Sequence, residues 1–339
     1  MNKQKTLTIL GISLVLLIII GVGTFNYLNK KVQVGPYYFS SEKLLELNEE
    51  DLQKQAEILT EISKGDFDNL EFLKIINPEV SKQLEKKGVR LGLSSLTSAK
   101  GLILPESVEW LSLNSLTSAK GLILPESVGE LYLNGLTSSE GLILPESVRL
   151  LYLDNLTSAE GLILPESVEY LDLNSLTSAE GLILPESVEN LSLNSLTSAE
   201  GLIFPESVGE LYLNGLTSAK GLILPETVDF LFLNSLTSSK GLILPESVVR
   251  LYLDSLTSAE GLTLPESVES LYLNSLTSAE GLVLPESIGS LSLESLTSVE
   301  GLALPKSVGF LPLDLFLSSL PETEKQKLRE QRPDLVDNI

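Results

Sequence analysis

The side chains that could do chemistry in this chain are carboxylates and aromatic rings, because the sequence contains no histidine and no cysteine. Without them there can be no disulfide, thiolate nucleophile, Ser-His-Asp triad, histidine general base or Cys/His zinc site. Carboxylate pairs can hydrolyse glycosides, but acidic residues are abundant here and no two of them stand out as a pair. We therefore expect no enzyme activity, no metal site and no cofactor. A hydrolase in the charged segment near the N-terminus is the less favoured alternative.

Aromatic residues are concentrated in two columns of a repetitive region. In a segment such as Tyr170-Leu171-Asp172-Leu173, the variable positions alternate with leucines as in a half-buried strand, so the variable side chains point outward. Exposed rings on a rigid sheet can bind a protein, a peptide or a glycan, because they bury a large area at little entropic cost. The alternative is that the rings pair across strands and only stabilise the sheet. The predicted binding face comprises Trp110, Tyr132, Tyr152, Tyr170, Tyr212, Phe230, Phe232, Tyr252 and Tyr272.

The chain is strongly acidic, with 46 acidic against 23 basic side chains and a net charge of −23. Residues 101–300 hold 28 of the acidic and only 5 of the basic side chains. This excess opposes binding to nucleic acid, whose phosphates require a basic surface. A glutamate recurs every 20 residues from Glu106 to Glu286. We interpret that column as a solvated ladder, because it lacks the converging oxygens and glycine turn of a calcium loop. Cation binding is the less favoured alternative.

The elements that must position these side chains repeat every 20 residues. The tripeptide Leu-Thr-Ser returns eleven times between Leu96 and Leu296. A strict period of this length predicts a solenoid, in which stacked coils bury apolar side chains that one coil cannot bury alone. We expect a β-rich solenoid of about 11 coils over residues 89–317, with parallel strands along one side and turns near Gly181 and Pro185 along the other. The predicted core columns are represented by Val168, Leu171, Leu173, Leu176, Leu182 and Leu184.

These columns resemble a known family. The pattern VxxLxLxxL, with Leu-Pro before the next strand, resembles the shortest bacterial leucine-rich repeats over about residues 89–314. It is also similar to the treponemal-type leucine-rich repeats and the Phe-Asn-Ile-Pro repeats. The chain has Leu176 where those repeats have asparagine, and an Asn/Asp column stands two positions earlier, as at Asn174. The resemblance implies a leucine-rich-repeat-like solenoid.

The N-terminal part has a different composition. After a short tail at 1–6, residues 7–28 are almost wholly apolar and uncharged, long enough for a transmembrane helix. Lysines before this segment favour an N-terminus on the cytoplasmic side. The alternatives are a cleaved signal peptide and a buried core helix. Residues 29–37 read as a linker, and residues 38–88 as a helical unit that caps the solenoid.

At the C-terminus the period fails, and residues 318–339 predict a capping helix and tail. Ser319 and Glu322 have the spacing of a capping box, with a helix running to about Arg332. Together these features predict a single-pass membrane protein whose repeat array lies outside the cytoplasm and binds a protein or glycan partner. The first alternative is a spacer or surface-coat element with no specific ligand, and a secreted form would result from signal cleavage.

Overall fold

A computed structural model describes residues 31–34, 37–40, 89–94, 96–99, 104 and 108–336. The repeats form parallel-strand coils of 20 residues, and ten coils in this part of the chain carry a glycine with positive φ at the same position, from Gly121 to Gly301. The predicted β-solenoid is therefore confirmed, with about ten coils in the described residues. The predicted transmembrane helix at 7–28, and all but residues 38–40 of the helical unit, lie outside the described residues.

The chain divides into two compact units. The first comprises Met1–Leu133 and Gly141–Ser147. It contains an antiparallel pair, β1 (Lys31–Val34) and β2 (Tyr37–Ser40), in which Lys31 lies opposite Ser40. This pair occupies positions that the sequence assigns to a linker and to the start of the helical unit. Three parallel strands follow in chain order: β3 (Val89–Gly92), β4 (Val108–Ser112) and β5 (Glu130–Tyr132).

The second unit comprises Asn134–Glu140 and Val148–Ile339. Its sheet consists of parallel strands that pair in chain order. Those strands are β6 (Leu150–Tyr152), β7 (Tyr170–Asp172), β8 (Asn190–Ser192), β9 (Glu210–Tyr212), β10 (Phe230–Phe232), β11 (Arg250–Tyr252), β12 (Ser270–Tyr272), β13 (Ser287–Ser292) and β14 (Ser307–Phe310).

Each coil is a short strand followed by tight turns. In β7, the central Leu171 is buried and pairs with Leu151 on one side and Leu191 on the other. After the strand, the Leu176 N–H donates to the Leu173 carbonyl at 3.0 Å. The next turn needs the φ of +78° at Gly181, a conformation that other residues rarely adopt. Within each unit, the 20-residue period thus places a strand directly beside its equivalent in the next coil.

The core agrees with five of the six predicted columns. Val168, Leu171, Leu173 and Leu176 are fully buried. The Leu182 column is buried in most coils, as at Leu162, although Leu182 itself is half-buried. The prediction was wrong for Leu184, which is half-buried because the chain turns inward one residue later, at the buried Pro185. A further buried column was missed; it holds Ala159 and Ala199 among others.

Polar side chains also connect neighbouring coils. The Ser167 hydroxyl donates to the Val148 carbonyl at 2.7 Å, and the Ser187 hydroxyl donates to the Val168 carbonyl at the same distance. The Asn/Asp column forms a ladder in which the Asn194 Nδ2 donates to the Asn174 Oδ1 at 2.6 Å. These bonds supply partners for polar groups that burial between coils removes from water.

Helices close the C-terminal end of the second unit. They are α1 (Leu313–Ser319), α2 (Glu322–Gln331) and α3 (Pro333–Val336). The predicted capping box was wrong: Pro321 precedes α2 without a side-chain cap, and the Ser319 hydroxyl instead donates to the carbonyls of Leu296 and Phe316. Within the described residues, no helix has both the length and the apolar character that crossing a bilayer requires.

Glu324 joins these helices to the last coil of the array. Its carboxylate accepts a hydrogen bond from the Val299 N–H at 2.9 Å and one from the Lys327 ammonium at 2.7 Å. The bond with Lys327, followed by the one from Val299, holds the pKa of the Glu324 carboxyl below its usual value. The carboxylate thus provides a partner for a backbone group that no further coil can reach.

Candidate functional site

The outward face of the strands carries all nine aromatic residues that the sequence singles out. Each three-residue strand holds a buried leucine between two variable positions, most of them half-buried, as in β10, where Leu231 lies between Phe230 and Phe232. Parallel pairing aligns equivalent positions, so Phe232 lies beside Tyr212 and Tyr252. The strands therefore convert a 20-residue sequence period into straight rows of side chains.

Four rings in the second unit form one continuous row, which we call the aromatic stack: Tyr212, Phe232, Tyr252 and Tyr272. Successive ring centroids are 4.2, 4.4 and 4.3 Å apart, and successive planes are inclined by 8°, 12° and 3°. The distances nearly equal the strand spacing of about 4.8 Å, so each ring lies flat on the next. Each such contact contributes about 0.5–1.5 kcal/mol beyond the area that it buries.

The neighbouring column places charges of both signs beside the stack. The Tyr212 hydroxyl donates to the Glu210 carboxylate at 3.3 Å. The Arg250 guanidinium lies 4.5 Å from the centroid of the Phe230 ring, a cation–π contact. Phe230 is thus separate from the stack and belongs to this charged column.

Burial raises the pKa of two tyrosines in the stack. It raises the pKa of Tyr212 above its ordinary value, with the Glu210 charge as a second cause. Burial also raises the pKa of Tyr252, and the neighbouring Tyr272 adds to that effect. The Tyr212 hydroxyl already donates its hydrogen to Glu210, so toward a partner its oxygen can act as an acceptor.

Tyr152 and Tyr170 form a second pair in the same unit. Their ring centroids are 5.0 Å apart and their planes are inclined by 37°. Burial, and then the nearby Asp172 carboxylate, raise the pKa of Tyr170 to about 12. Burial also raises the pKa of Asp172, although the Asn174 N–H donates to its carboxylate at 3.1 Å and opposes the shift.

The remaining two aromatic residues lie in the first unit. The Trp110 and Tyr132 rings are 5.3 Å apart and inclined by 51°, and the Tyr132 hydroxyl donates to the Glu130 carboxylate at 2.5 Å. The Arg90 guanidinium lies 4.7 Å from the centroid of the Trp110 ring. Sequence reasoning missed both Arg90 and Arg250, although Arg250 occupies an outward strand position and could have been found by listing the charged residues in those columns.

Some glutamates of the acidic column accept hydrogen bonds from the protein, whereas the sequence suggests carboxylates that contact only solvent. The Glu206 carboxylate accepts from the Glu226 N–H at 3.3 Å, and the Glu266 carboxylate accepts from the Glu286 N–H at 3.1 Å. Some of its members therefore bind the backbone of the next coil. Across the described residues, no three acidic side chains converge as a metal site would require.

Comparison with known proteins supports the fold alone. No protein-family model and no curated protein sequence matches the chain. Among solved structures, it is similar to YopM from Yersinia enterocolitica WA-314, with 22% identity and a TM-score of 0.50 over 65% of this chain and 47% of that one. A second similar structure is YopM from Yersinia pestis, a leucine-rich effector protein, with 20% identity and a TM-score of 0.47 over 61% of this chain and 60% of that one.

The chain thus spans less than two-thirds of the length of either solved protein. The similarity to the Yersinia enterocolitica structure agrees with the parallel strands and the 20-residue spacing seen in the coils. These observations confirm the resemblance that the leucine and proline pattern indicates. The chain is a repeat protein with a leucine-rich-repeat-like fold.

Proposed function

We propose that this chain is a scaffold that binds a protein partner through the strand face centred on the aromatic stack. The observation that carries the proposal is the continuous row of four half-buried rings, flanked by Glu210 and Arg250, on a sheet held by buried leucines. Rigid aromatic anchors with charged neighbours are typical of the centre of protein interfaces. We expect no catalysis from this surface.

The stacking favours a protein over a glycan as the partner. A sugar ring usually packs on a free aromatic face, but the inner faces of the stack lie 4.2–4.4 Å from the next ring. The stack instead offers ring edges and hydroxyl groups, which suit the apolar and carbonyl groups of a polypeptide. The spacer alternative explains the same stack as a purely structural device, so the two hypotheses require a direct test.

The proposal extends to the placement of the scaffold. The uncharged apolar segment at 7–28 supports a single-pass membrane anchor, and the lysines before it support an array outside the cytoplasm. A secreted form remains the alternative. In cells that make the full chain, externally added protease should remove the array and leave a membrane-bound N-terminal fragment; a protected array would contradict this placement.

A peptide-display selection on the full chain tests the binding face. We expect enriched peptides to bind the parent chain at least tenfold more tightly than a variant with Tyr212, Phe232 and Tyr252 changed to serine, a loss of about 1.4 kcal/mol. A second variant, with Tyr212, Tyr252 and Tyr272 changed to phenylalanine, keeps the stacked rings and removes the hydroxyls. Because the melting temperature of this second variant should remain close to that of the parent, a loss of peptide binding in it reflects lost contacts and not lost stability.

The matched control for this test lies on another part of the same coils. Serine at Thr177, Thr197 and Thr217 changes three exposed side chains outside the strand face, and this variant should retain the selected peptides. Peptides that bind all the variants equally would contradict the proposed binding face and favour the spacer hypothesis.

A further inference from the structure

A row of isoleucines is almost fully exposed on the second unit, away from the strands. We call it the isoleucine ridge: Ile163, Ile183, Ile203, Ile223 and Ile243. Their exposed fractions lie between 76% and 84%. Single exposed apolar residues need no explanation, but a continuous row of branched side chains is a costly surface for a protein to keep in water.

The ridge follows from the geometry of the coil. In the segment Leu162-Ile163-Leu164-Pro165, Leu162 and Pro165 are buried, Leu164 is half-buried and Ile163 points to solvent. Because each coil repeats this segment, the isoleucines of successive coils follow one another in a single row. The half-buried leucines beside them widen the apolar strip.

Exposed carboxylates border the ridge on both sides. Three residues before each isoleucine stand Glu160, Glu180 and Glu200, and then Lys220 and Lys240. Three residues after each isoleucine, glutamate stands in every coil: Glu166, Glu186, Glu206, Glu226 and Glu246. Lys220 lies 3.4 Å from the Glu200 carboxylate, so one of the two cations is already paired. The segment from Ile163 to Ile203 is thus an apolar strip between two acidic rows.

We propose that the isoleucine ridge binds a cationic amphipathic α-helix that lies along it, across the coils. An amphipathic helix presents one apolar stripe with polar residues on both sides of it, and this pattern matches an apolar strip between two acidic rows. Basic residues on both sides of the helix's apolar stripe would meet the two acidic rows.

Charge also argues against other occupants. A second copy of this chain would bring the same acidic rows to the contact, where like charges repel. An anionic lipid surface would be repelled for the same reason. The proposal is independent of the strand face, because none of its residues belongs to the aromatic stack.

The probe for this proposal is a fluorescently labelled helix of about 18 residues, long enough to span the five isoleucines. It carries leucine at the a and d positions and lysine at the positions that flank them. We expect it to bind the full chain, as measured by fluorescence anisotropy, and to lose at least tenfold in affinity on the Ile163→Ser, Ile183→Ser, Ile203→Ser variant. The same helix with glutamate in place of lysine should not bind.

A second variant tests the charge without touching the apolar side chains. Glutamine at Glu166, Glu186 and Glu206 should weaken binding several-fold and should reduce its dependence on salt. Thermal melting of the isoleucine variant should match the parent, because its three side chains are exposed. The glutamine variant should melt at or above the temperature of the parent, because it removes repulsion between neighbouring carboxylates. Should the isoleucine variant melt early, the glutamine variant alone decides whether the acidic rows recruit the helix.

Several results would overturn the proposal. These are unchanged binding to the isoleucine variant, equal binding of the glutamate-substituted helix, or loss of binding on the Tyr212→Ser, Phe232→Ser, Tyr252→Ser variant alone. Self-association of the full chain that only the isoleucine variant abolishes, without binding of the cationic helix, would identify the ridge as a contact between copies. Ridge-dependent binding to anionic vesicles would identify a membrane surface instead. The peptide-display selection on the strand face tests the proposed function separately from each of these results.

Discussion

At the scale of single residues, one step of the Asn/Asp ladder lacks the side-chain hydrogen bond that other steps have. Between asparagines, the amide of the later coil donates to the amide oxygen of the earlier coil, as Asn214 does to Asn194 at 2.7 Å. The Asp254 side chain is a carboxylate without an amide hydrogen, so it cannot donate to the Asn234 side chain. The Asn234 Oδ1 atom is buried and has no hydrogen-bond partner among the described residues, whereas Asp254 itself accepts from Asn274 at 2.8 Å.

We predict that Asp254→Asn stabilises the protein. The new amide can donate to Asn234 and still accept from Asn274, so the free energy of unfolding should rise by about 1 kcal/mol, as measured by urea denaturation. Asp154→Asn is the matched control: it removes the same charge, but the Asn134 Oδ1 already accepts from the Asp154 N–H at 3.3 Å. Equal gains in the two variants would mean that charge, and not the unpaired oxygen, causes the effect.

Tyr170 should make stability depend on pH in the alkaline range. Its pKa is about 12 in the folded chain against an ordinary value of 10.0, so between these values the folded state holds a proton that the unfolded state has lost. Stability should therefore be constant below about pH 10 and fall as the pH rises toward 12. Thermal melts from pH 9 to 12 should show a shallower decline for Tyr170→Phe than for the parent. An identical decline in the two chains would show that the pKa of Tyr170 in solution is not raised above its ordinary value.

At the scale of the coil, burial differs between leucines that look equivalent in the sequence. Leu176 is fully buried between coils, but Leu184 is half-buried at the corner before Pro185. We predict that Leu176→Ala lowers the free energy of unfolding by about 2–5 kcal/mol, because it leaves a cavity. Leu184→Ala should cost about 1 kcal/mol or less, because much of the removed surface already faces water. Similar losses in a urea denaturation series would contradict this assignment of the core.

An element can be predicted from the sequence where the repeat pattern determines its geometry. The period and the leucine columns predict the strands, their pairing and the alignment of Tyr212 with Phe232, because parallel stacking translates sequence spacing directly into spatial rows. Whether aligned rings lie flat on one another depends on side-chain torsions, which no repeat pattern specifies. Ile183 between two leucines looks like a core residue until the turn at Pro185 is known, so the ridge was missed. Ser319 has the spacing of a capping residue, but its hydroxyl donates instead to carbonyls of the last coil and of α1.

At the scale of the whole molecule, the acidic repeats repel one another along the array. Carboxylates in successive coils about 4.8 Å apart repel by about 0.9 kcal/mol in water before screening. Raising sodium chloride from about 10 mM to about 150 mM shortens the screening length from about 30 Å to about 8 Å, so the melting temperature should rise. The variant with glutamine at Glu166, Glu186 and Glu206 should show a smaller rise. A salt-independent midpoint for both chains would show that the rows are already neutralised by their surroundings.

The serine hydroxyls that bind valine carbonyls all donate in one direction, from the later coil to the earlier one, as Ser207 does to Val188. Ser139 and Ser239 occupy a different column and donate forward, to the carbonyls of Glu160 and Glu260. At the valine carbonyls, each coil therefore brings its own donor and offers one acceptor to its successor. During synthesis on the ribosome, an emerging coil meets a partner that has already been made, so the array can grow vectorially without waiting for its C-terminal end. The same rule makes the gene tolerant of unequal crossing-over. The gain or loss of a whole 60-nucleotide unit creates no new kind of contact between coils. Lineages that carry this sequence should therefore differ in the number of repeats before they differ in the residues that join one repeat to the next.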